Sequence, residues 1–274
     1  MGSSDLGSLA INAGITLGVA LALIAATFLL ARVRGRYDTI DSLWGLGFAV
    51  IALVGLGLST GHGELAGRLL VTALTVVWGL RLSIHIHTRN AHQGEDARYA
   101  AMVRKAGDAP GRYMLTRVYL VQAVLMWLIS LPVQAAQYAR GGLGVLGWIG
   151  VAVWLVGIGF EGIGDAQLRR FKADPSNKGT VLDQGLWRYT RHPNYFGDAC
   201  VWWGLYLLAC HSWAGVATVF APLVMTALLA RGSGKPILER AMLARRPAYA
   251  DYVRRTSGFF PLPPKRSTSA RGTG

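Results

Sequence analysis

The sequence predicts an all-α membrane protein with seven transmembrane helices, and three observations lead to this prediction. Of its 274 residues, 52% are hydrophobic and only 15% are charged, against about 25% charged residues in a typical soluble domain. Seven apolar runs approach or exceed the length of about 20 residues that crosses a bilayer core of roughly 30 Å. The basic residues, moreover, are concentrated in every second segment between these runs.

The apolar runs define the predicted helices in chain order. They cover approximately residues 8–31, 43–60, 66–86, 115–137, 143–168, 196–210 and 212–230. Because no basic residue precedes the first run, Asp5 lies in its leader and the run is long, we expect a retained helix and not a cleaved signal peptide. The last two runs are short, which favours tilted or partly lipid-facing helices. A single domain over residues 1–263 and a disordered basic tail over 264–274 complete the prediction.

The distribution of Lys and Arg predicts the orientation. Segments 32–42, 87–117, 169–191 and 231–274 hold 3, 6, 6 and 10 of the 28 basic residues. Since basic residues beside spans stay in the cytoplasm, we expect an outside N-terminus, a cytosolic C-terminus and a location in the bacterial inner membrane. The net charge of +14 therefore lies at helix ends and in a tail, where it meets lipid headgroups, and nucleic-acid binding is not predicted.

The segment after the last run has the pattern of a surface helix. Its apolar and aromatic residues recur at near-helical spacing, namely Met242, Leu243, Tyr249, Tyr252 and Val253. This pattern predicts an amphipathic helix against the cytosolic face, which either anchors the tail or closes over a site.

Three histidines, His85, His87 and His92, raise the question of a metal site. Spacing of two residues on a helix separates side chains by about 200°, and no cysteine or carboxylate set completes a ligand group. We expect no metal site. His85 shares a helical face with Arg81 and Arg89, so it stays a candidate for other chemistry.

Glu161 and Asp165 stand one helical turn apart near the cytosolic end of the fifth run. An ionisable side chain inside a span is destabilising unless it faces a polar cavity or a partner, so the pair indicates a functional site. The structural alternative is an ion pair with Arg169, one turn beyond Asp165.

The stretch "RYTRHPNYFGD" places polar residues at the start of the sixth helix, where Pro193 suits a first turn. Its basic side chains could hold phosphate beside the helix N-terminus, and the others could hydrogen-bond a sugar or base. Interfacial anchoring is the alternative, but it leaves Asp198 unexplained. The candidates in this stretch are Arg188, Arg191, His192, Asn194, Tyr195 and Asp198.

These residues also carry a resemblance. The stretches "DAQLRRFK", "GLWRYTRHPNYFGD", "WWG", "SGKPILE" and "YADYVRRTSGFFP" resemble the steroid 5α-reductase family of integral-membrane, nucleotide-dependent reductases. With "WGLRLSIHIHTRN" and "GEDARY", the chain is most similar to the family's uncharacterised bacterial branch. The resemblance covers about residues 38–263 and is most specific over 165–263.

The resemblance implies a seven-helix fold with NADPH among the cytosolic halves of the later helices. The family positions that contact the nucleotide match Asp165, Arg169, Asn194 and Asp198. Departures occur where Glu161 replaces Asn and Lys172 replaces Arg, and Glu239 is a further candidate from the last helix. The abundance of arginine favours NADPH over NADH.

The substrate end departs further from the family. Steroid reductases grip the substrate carbonyl with a Glu and a Tyr, and the Tyr position aligns with Ile86 here. The resemblance therefore does not imply that this chain has the same substrate as the steroid reductases. Polar groups that could replace this grip and serve catalysis are Asp41, His85 and Tyr119.

The resulting hypothesis is an NADPH-dependent reductase of an activated C=C bond in an apolar, steroid- or lipid-like substrate that enters from the bilayer. A second hypothesis is an S-adenosylmethionine-dependent methyltransferase of the isoprenylcysteine or phospholipid type, since these enzymes share an "RHPxY" element followed by an acidic residue. A non-enzymatic lipid-binding protein or transporter is a third, although the polar groups gather at one face and no repeated halves are visible.

Overall fold

A computed structural model describes residues 3–91, 93–232 and 235–265, and helices dominate these ranges. They contain no β-strand, and a single isolated bridge joins Thr190 to Ser257. The all-α prediction is therefore confirmed. The α-helices are α1 (Ser3–Arg34), α2 (Thr39–Leu58), α3 (Leu65–Asn90), α4 (Ala97–Lys105), α5 (Pro110–Met114), α6 (Leu120–Gln137), α7 (Gly144–Ala173), α8 (Pro193–Ala209), α9 (Trp213–Val216), α10 (Phe220–Arg231), α11 (Lys235–Arg245) and α12 (Ala248–Arg255).

Six helical segments of the described chain are long and apolar enough to cross a membrane. These segments indicate an integral membrane protein. The sixth predicted run forms α8, whose 17 residues extend about 26 Å at a rise of about 1.5 Å per residue, which is less than a bilayer core of roughly 30 Å. The six segments are Asp5–Arg34, Thr39–Leu58, Leu65–Asn90, Pro110–Gln137, Gly144–Ala173 and Trp213–Arg231.

The predicted C-terminal amphipathic helix is divided into two helices, α11 and α12. Proline lacks an N–H group and disfavours a helical conformation in the residue before it. Pro247 stands between the two helices and directly precedes α12, so the sequence already contained the reason for the break. Of the predicted disordered tail, residues 266–274 lie outside the described residues.

The described chain packs as two units, so the predicted single domain stays a prediction. The first unit contains the chain up to residue 150 together with residues 205–221, and the second contains residues 151–204 and 222 onward.

Close helix contacts between glycines characterise the first unit. A Cβ atom on Gly45 of α2 would lie 2.3 Å from the carbonyl oxygen of Gly79 of α3, and a Cβ on Gly79 would lie equally close to the oxygen of Gly45. Small residues allow helix backbones in a membrane protein to approach in this way. Buried polar side chains add links, since Gln137 of α6 donates to the carbonyl of Ala52 and to the hydroxyl of Thr72.

Candidate functional site

The candidate site lies in the second unit, where α7 and the first part of α8 are in backbone contact. A Cβ atom on Gly197 would lie 2.5 Å from the carbonyl oxygen of Gly157 and 2.7 Å from the amide nitrogen of Glu161. Near the start of α8, a Cβ on Gly164 would lie 3.1 Å from the Pro193 ring. The glycines therefore bring the polar ends of the two helices side by side.

This approach places the predicted carboxylates on facing helices. Glu161, Asp165 and Asp198, which we call the acidic cluster, are only 2%, 7% and 8% exposed. The side-chain amide of Asn194 donates a hydrogen bond of 3.2 Å to Oδ1 of Asp165, which joins α8 to α7 directly. The one-turn spacing predicted that Glu161 and Asp165 share a face of one helix, and that Asn194 and Asp198 share a face of another. The hydrogen bond from Asn194 to Asp165 shows that these two faces meet.

Arg191 and His192, which immediately precede α8, form a second polar group with Glu239 of α11. Glu239 Oε1 accepts hydrogen bonds from Arg191 Nε at 2.8 Å and from His192 Nε2 at 3.0 Å. The guanidinium of Arg191, only 8% exposed in the residue as a whole, also donates to the carbonyls of Val253 and Thr256. The sequence assigned Arg191 and His192 to phosphate, but in the structure Glu239 and backbone oxygens engage both side chains.

The protonation states of this group follow from burial and hydrogen bonding. Burial alone would raise the pKa of the Glu239 carboxyl, but the hydrogen bonds from His192 and Arg191 outweigh it and hold this pKa at about 2. Burial lowers the pKa of the His192 imidazole, and the contact with Glu239 offsets this only in part. A neutral His192 therefore donates its Nε2–H to an ionised Glu239, while its ring stacks on Tyr195 at 5.2 Å.

A short segment after α12 covers the loop before α8, and we call residues 256–262 the C-terminal strap. The Arg191 N–H donates to the carbonyl of Ser257 at 2.9 Å, and the Thr190 hydroxyl donates to the carbonyl of Phe259 at 2.8 Å. The Leu262 N–H in turn donates to the carbonyl of Tyr189 at 3.0 Å. The strap thus fixes the loop backbone from which Arg191 and His192 project.

Thr190→Val tests this strap. Thr190 is fully buried, and its hydroxyl also accepts a hydrogen bond from the His192 N–H at 3.3 Å. The nearly isosteric valine leaves the Phe259 carbonyl without this donor, so we expect unfolding in detergent to become easier by about 1 to 2 kcal/mol. Thr180→Val is the control, because that hydroxyl is exposed and bonds only locally to Asn177, and its expected effect is within about 0.5 kcal/mol. Equal stability of both variants would exclude the strap as a stabilising contact.

Three predicted cations of the second unit remain exposed. Arg169 and Lys172 lie on the last turns of α7, and Arg188 lies in a 3₁₀ turn over Gly185–Arg188. The structure therefore separates the predicted basic residues into an exposed set and the buried pair Arg191 and His192. The exposed set is the one that a phosphate in solution can reach.

The candidate catalytic residues belong to the first unit. Asp41 accepts a hydrogen bond of 2.5 Å from the Tyr99 hydroxyl and one of 2.9 Å from Arg98 Nη2. The Tyr119 hydroxyl donates to the carbonyl of Tyr37 at 2.7 Å, and His85 lies half-buried on α3.

Sequence reasoning missed the partners of Asp41. Arg98 and Tyr99 lie within "GEDARY", but a partner 57 or 58 positions away leaves no local periodicity. The same holds for the strap, whose contacts with the loop span more than 60 positions.

No group of three or more His, Cys, Asp or Glu side chains suited to a metal ion occurs in the part of the chain that the structure describes. One of the three predicted histidines, His92, lies outside the described residues.

The comparisons with known proteins cover the part of the chain that contains the candidate residues. A family model described as "Protein of unknown function (DUF1295)" matches residues 27–256, a range that contains every candidate residue from Asp41 to Glu239. An uncharacterized protein of Schizosaccharomyces pombe is 23% identical over 251 residues, which cover 81% of this chain and 72% of that protein. No solved structure matches the chain.

Proposed function

Because this chain belongs to the DUF1295 family, a steroid 5α-reductase-like group of membrane proteins, we propose that it is a membrane-embedded, NADPH-dependent reductase. The proposed reaction reduces an activated carbon–carbon double bond in an apolar, steroid- or lipid-like substrate that enters from the bilayer. The observation that carries the proposal is the hydrogen bond from Asn194 to Asp165, because it unites the two stretches that resemble nucleotide-dependent reductases.

The chemistry of the side chains fits a phosphorylated dinucleotide. Buried carboxylates beside a helix N-terminus can accept hydrogen bonds from ribose hydroxyls or from a carboxamide. The exposed Arg169, Lys172 and Arg188 can neutralise phosphates, including the additional phosphate of NADPH. We assign Arg191 and His192 a positioning role, since they hold the loop before α8 through Glu239.

When bound, NADPH supplies a hydride, and the protein provides orientation and electrostatic stabilisation. In this proposal Asp165 and Asn194 orient the nucleotide, while Glu161 and Asp198 contribute further acceptors from the same two helices. The oxygen that gains charge during reduction requires a hydrogen-bond donor. Asp41, His85 and Tyr119 remain the proposed residues for this role.

The membrane arrangement completes the proposal. We place α8 as a seventh, short span, with the N-terminus outside, the C-terminus in the cytosol and the nucleotide site facing the cytosol of a bacterial cell. The asymmetry of Lys and Arg supports this orientation.

Ligand-dependent thermal stability of the full-length protein in detergent tests the function. NADPH at about a hundredfold excess over its Kd is expected to stabilise the protein by about 2.7 kcal/mol. Asp165→Ala and Asn194→Ala should each weaken this response at least about tenfold in NADPH concentration, since each removes one partner of the hydrogen bond that joins α7 to α8. Asp174→Ala is the matched control, because its exposed carboxylate bonds only to Ser176. Absence of any NADPH response in the wild type would contradict the proposal.

A methyltransferase is the second candidate, and one observation favours it. The "RHPxY" residues Arg191, His192 and Tyr195 gather in the structure through Glu239 and through ring stacking, as expected for a shared functional element. The test is therefore a parallel titration of thermal stability with S-adenosylmethionine in place of NADPH. Stabilisation by S-adenosylmethionine alone, together with labelled methyl transfer to lipid, would replace the reductase by this candidate.

A further inference from the structure

A pocket in the first unit is lined by none of the residues assigned above to the nucleotide. It opens to the surface where α1 and α3 end and α2 begins. Its lining includes Arg34, Arg36, Asp38, Ser42, His87 and Asn90. Because α1 to α3 are membrane-spanning candidates, the pocket lies at the level where lipid headgroups begin.

The wall of this pocket is built from buried, hydrogen-bonded groups. Asp38, only 3% exposed, accepts hydrogen bonds from Arg36 Nε at 3.2 Å and Nη2 at 2.9 Å, and a third from the Asp96 N–H at 3.1 Å. The Arg36 guanidinium also donates to the carbonyls of Asn90 and Gly94. Arg36 and Asp38 therefore form a fixed pair whose charges cancel.

The remaining fixed charge in the pocket is the Arg34 guanidinium. Arg34 and His87 line the pocket with exposed side chains, and Ser42 also lines it. Carbonyl groups at the helix ends already accept hydrogen bonds, since Ala31 receives the Arg36 N–H at 3.0 Å and Asn90 receives the Gln93 N–H at 3.1 Å. The groups that face a ligand are thus mainly donors, which suits an anion such as phosphate.

Arg34 and His87 each also continue an exposed apolar face of their helix. Leu30, 42% exposed, precedes Arg34 by one turn on α1, and Ile84, 62% exposed, precedes His87 by one turn on α3. A free phosphate would not cover these apolar faces, whereas the acyl chain of a lipid would. We propose that the pocket binds the phosphate headgroup of an anionic phospholipid, with an acyl chain along α1 and α3.

Native mass spectrometry of the delipidated full-length protein tests the proposal. The probes are phosphatidylglycerol, phosphatidylcholine and inorganic phosphate, titrated against wild type and against Arg34→Gln/His87→Gln. We expect phosphatidylglycerol to bind more tightly than phosphatidylcholine, and the double variant to weaken phosphatidylglycerol binding at least about fivefold. The unfolding temperature without lipid should stay unchanged, because both side chains are exposed.

Arg104→Gln/Lys105→Gln is the matched control, since it removes two exposed cations from the last turn of α4, outside the pocket. Full phosphatidylglycerol affinity in this control supports a specific pocket. An equal loss in both double variants would overturn the proposal in favour of general surface charge. Binding of inorganic phosphate as tight as that of phosphatidylglycerol would also overturn it, because the ligand would then be a free anion.

Discussion

Gly197→Ala is expected to destabilise the second unit strongly. The new Cβ atom would lie 2.5 Å from the carbonyl oxygen of Gly157 and 2.7 Å from the amide nitrogen of Glu161. Both are backbone atoms, so α7 and α8 would have to separate to relieve the overlap. We expect a decrease in the free energy of unfolding of about 3 kcal/mol, measured by denaturant titration in detergent.

Gly159→Ala on α7 is the matched control for this substitution. No atom lies within 4 Å of a Cβ added at Gly159, and alanine favours helix by about 1 kcal/mol over glycine. We expect unchanged or slightly increased stability. If Gly197→Ala unfolds like the wild type while Gly159→Ala behaves as expected, the two helices do not have the backbone contact described.

Glu239→Ala is expected to have a comparably large effect, by a different mechanism. It removes the common acceptor of Arg191 and His192 and leaves a buried guanidinium without its carboxylate. Loss of one partner of a buried ion pair typically decreases the free energy of unfolding by about 3 kcal/mol or more. Glu239→Gln should have a smaller effect, because its amide oxygen can still accept the hydrogen bonds that Oε1 of Glu239 accepts, although the negative charge is lost.

Asp251→Ala serves as the control for Glu239→Ala. Asp251 pairs with Arg254 and Arg255 on α12, but its side chain is 52% exposed. An exposed pair of this kind contributes about 0 to 1 kcal/mol. Equal destabilisation by Asp251→Ala and Glu239→Ala would show that burial of the Glu239 pair is unimportant.

The group formed by Arg191, His192 and Glu239 also predicts how the stability of the folded protein depends on pH. Because burial lowers the pKa of His192 in the folded protein, the unfolded chain binds this proton first, and stability should decrease as the pH falls below about 6.5. The pKa of Glu239 is lowered from 4.5 to about 2, so its contribution is complete above pH 4.5 and is lost as the pH falls toward 2. Glu239→Gln should abolish the second decrease and not the first.

Local features of the sequence predicted most of the fold. Apolar runs predicted helices because length and hydropathy are properties of contiguous residues. The run 196–210 was predicted to be a short helix, and it forms α8 of 17 residues, so the seventh span stays a prediction. Pro247 marked a helix boundary, but near-helical spacing on both sides of it suggested one continuous helix.

The candidate site was predictable as far as helical periodicity extends. One-turn spacing predicted that Glu161 and Asp165 share a face, and that Asn194 and Asp198 share another. No local pattern indicates that Arg191 pairs with Glu239, 48 positions later, and not with a phosphate. The same limit applies to the Tyr99 partner of Asp41. Contacts between distant segments depend on tertiary packing, which a single sequence does not display.

The position of the C-terminal strap has a consequence for biosynthesis. Arg191 and Thr190 obtain hydrogen-bond acceptors from residues 253–259, which are synthesised more than 60 residues after them. During translation the preceding spans can insert while the loop before α8 still lacks these acceptors. The loop before α8 therefore reaches its hydrogen-bonded form only after residue 259 has left the ribosome, and we expect a nascent chain arrested before Val253 to remain a substrate for membrane quality-control proteases.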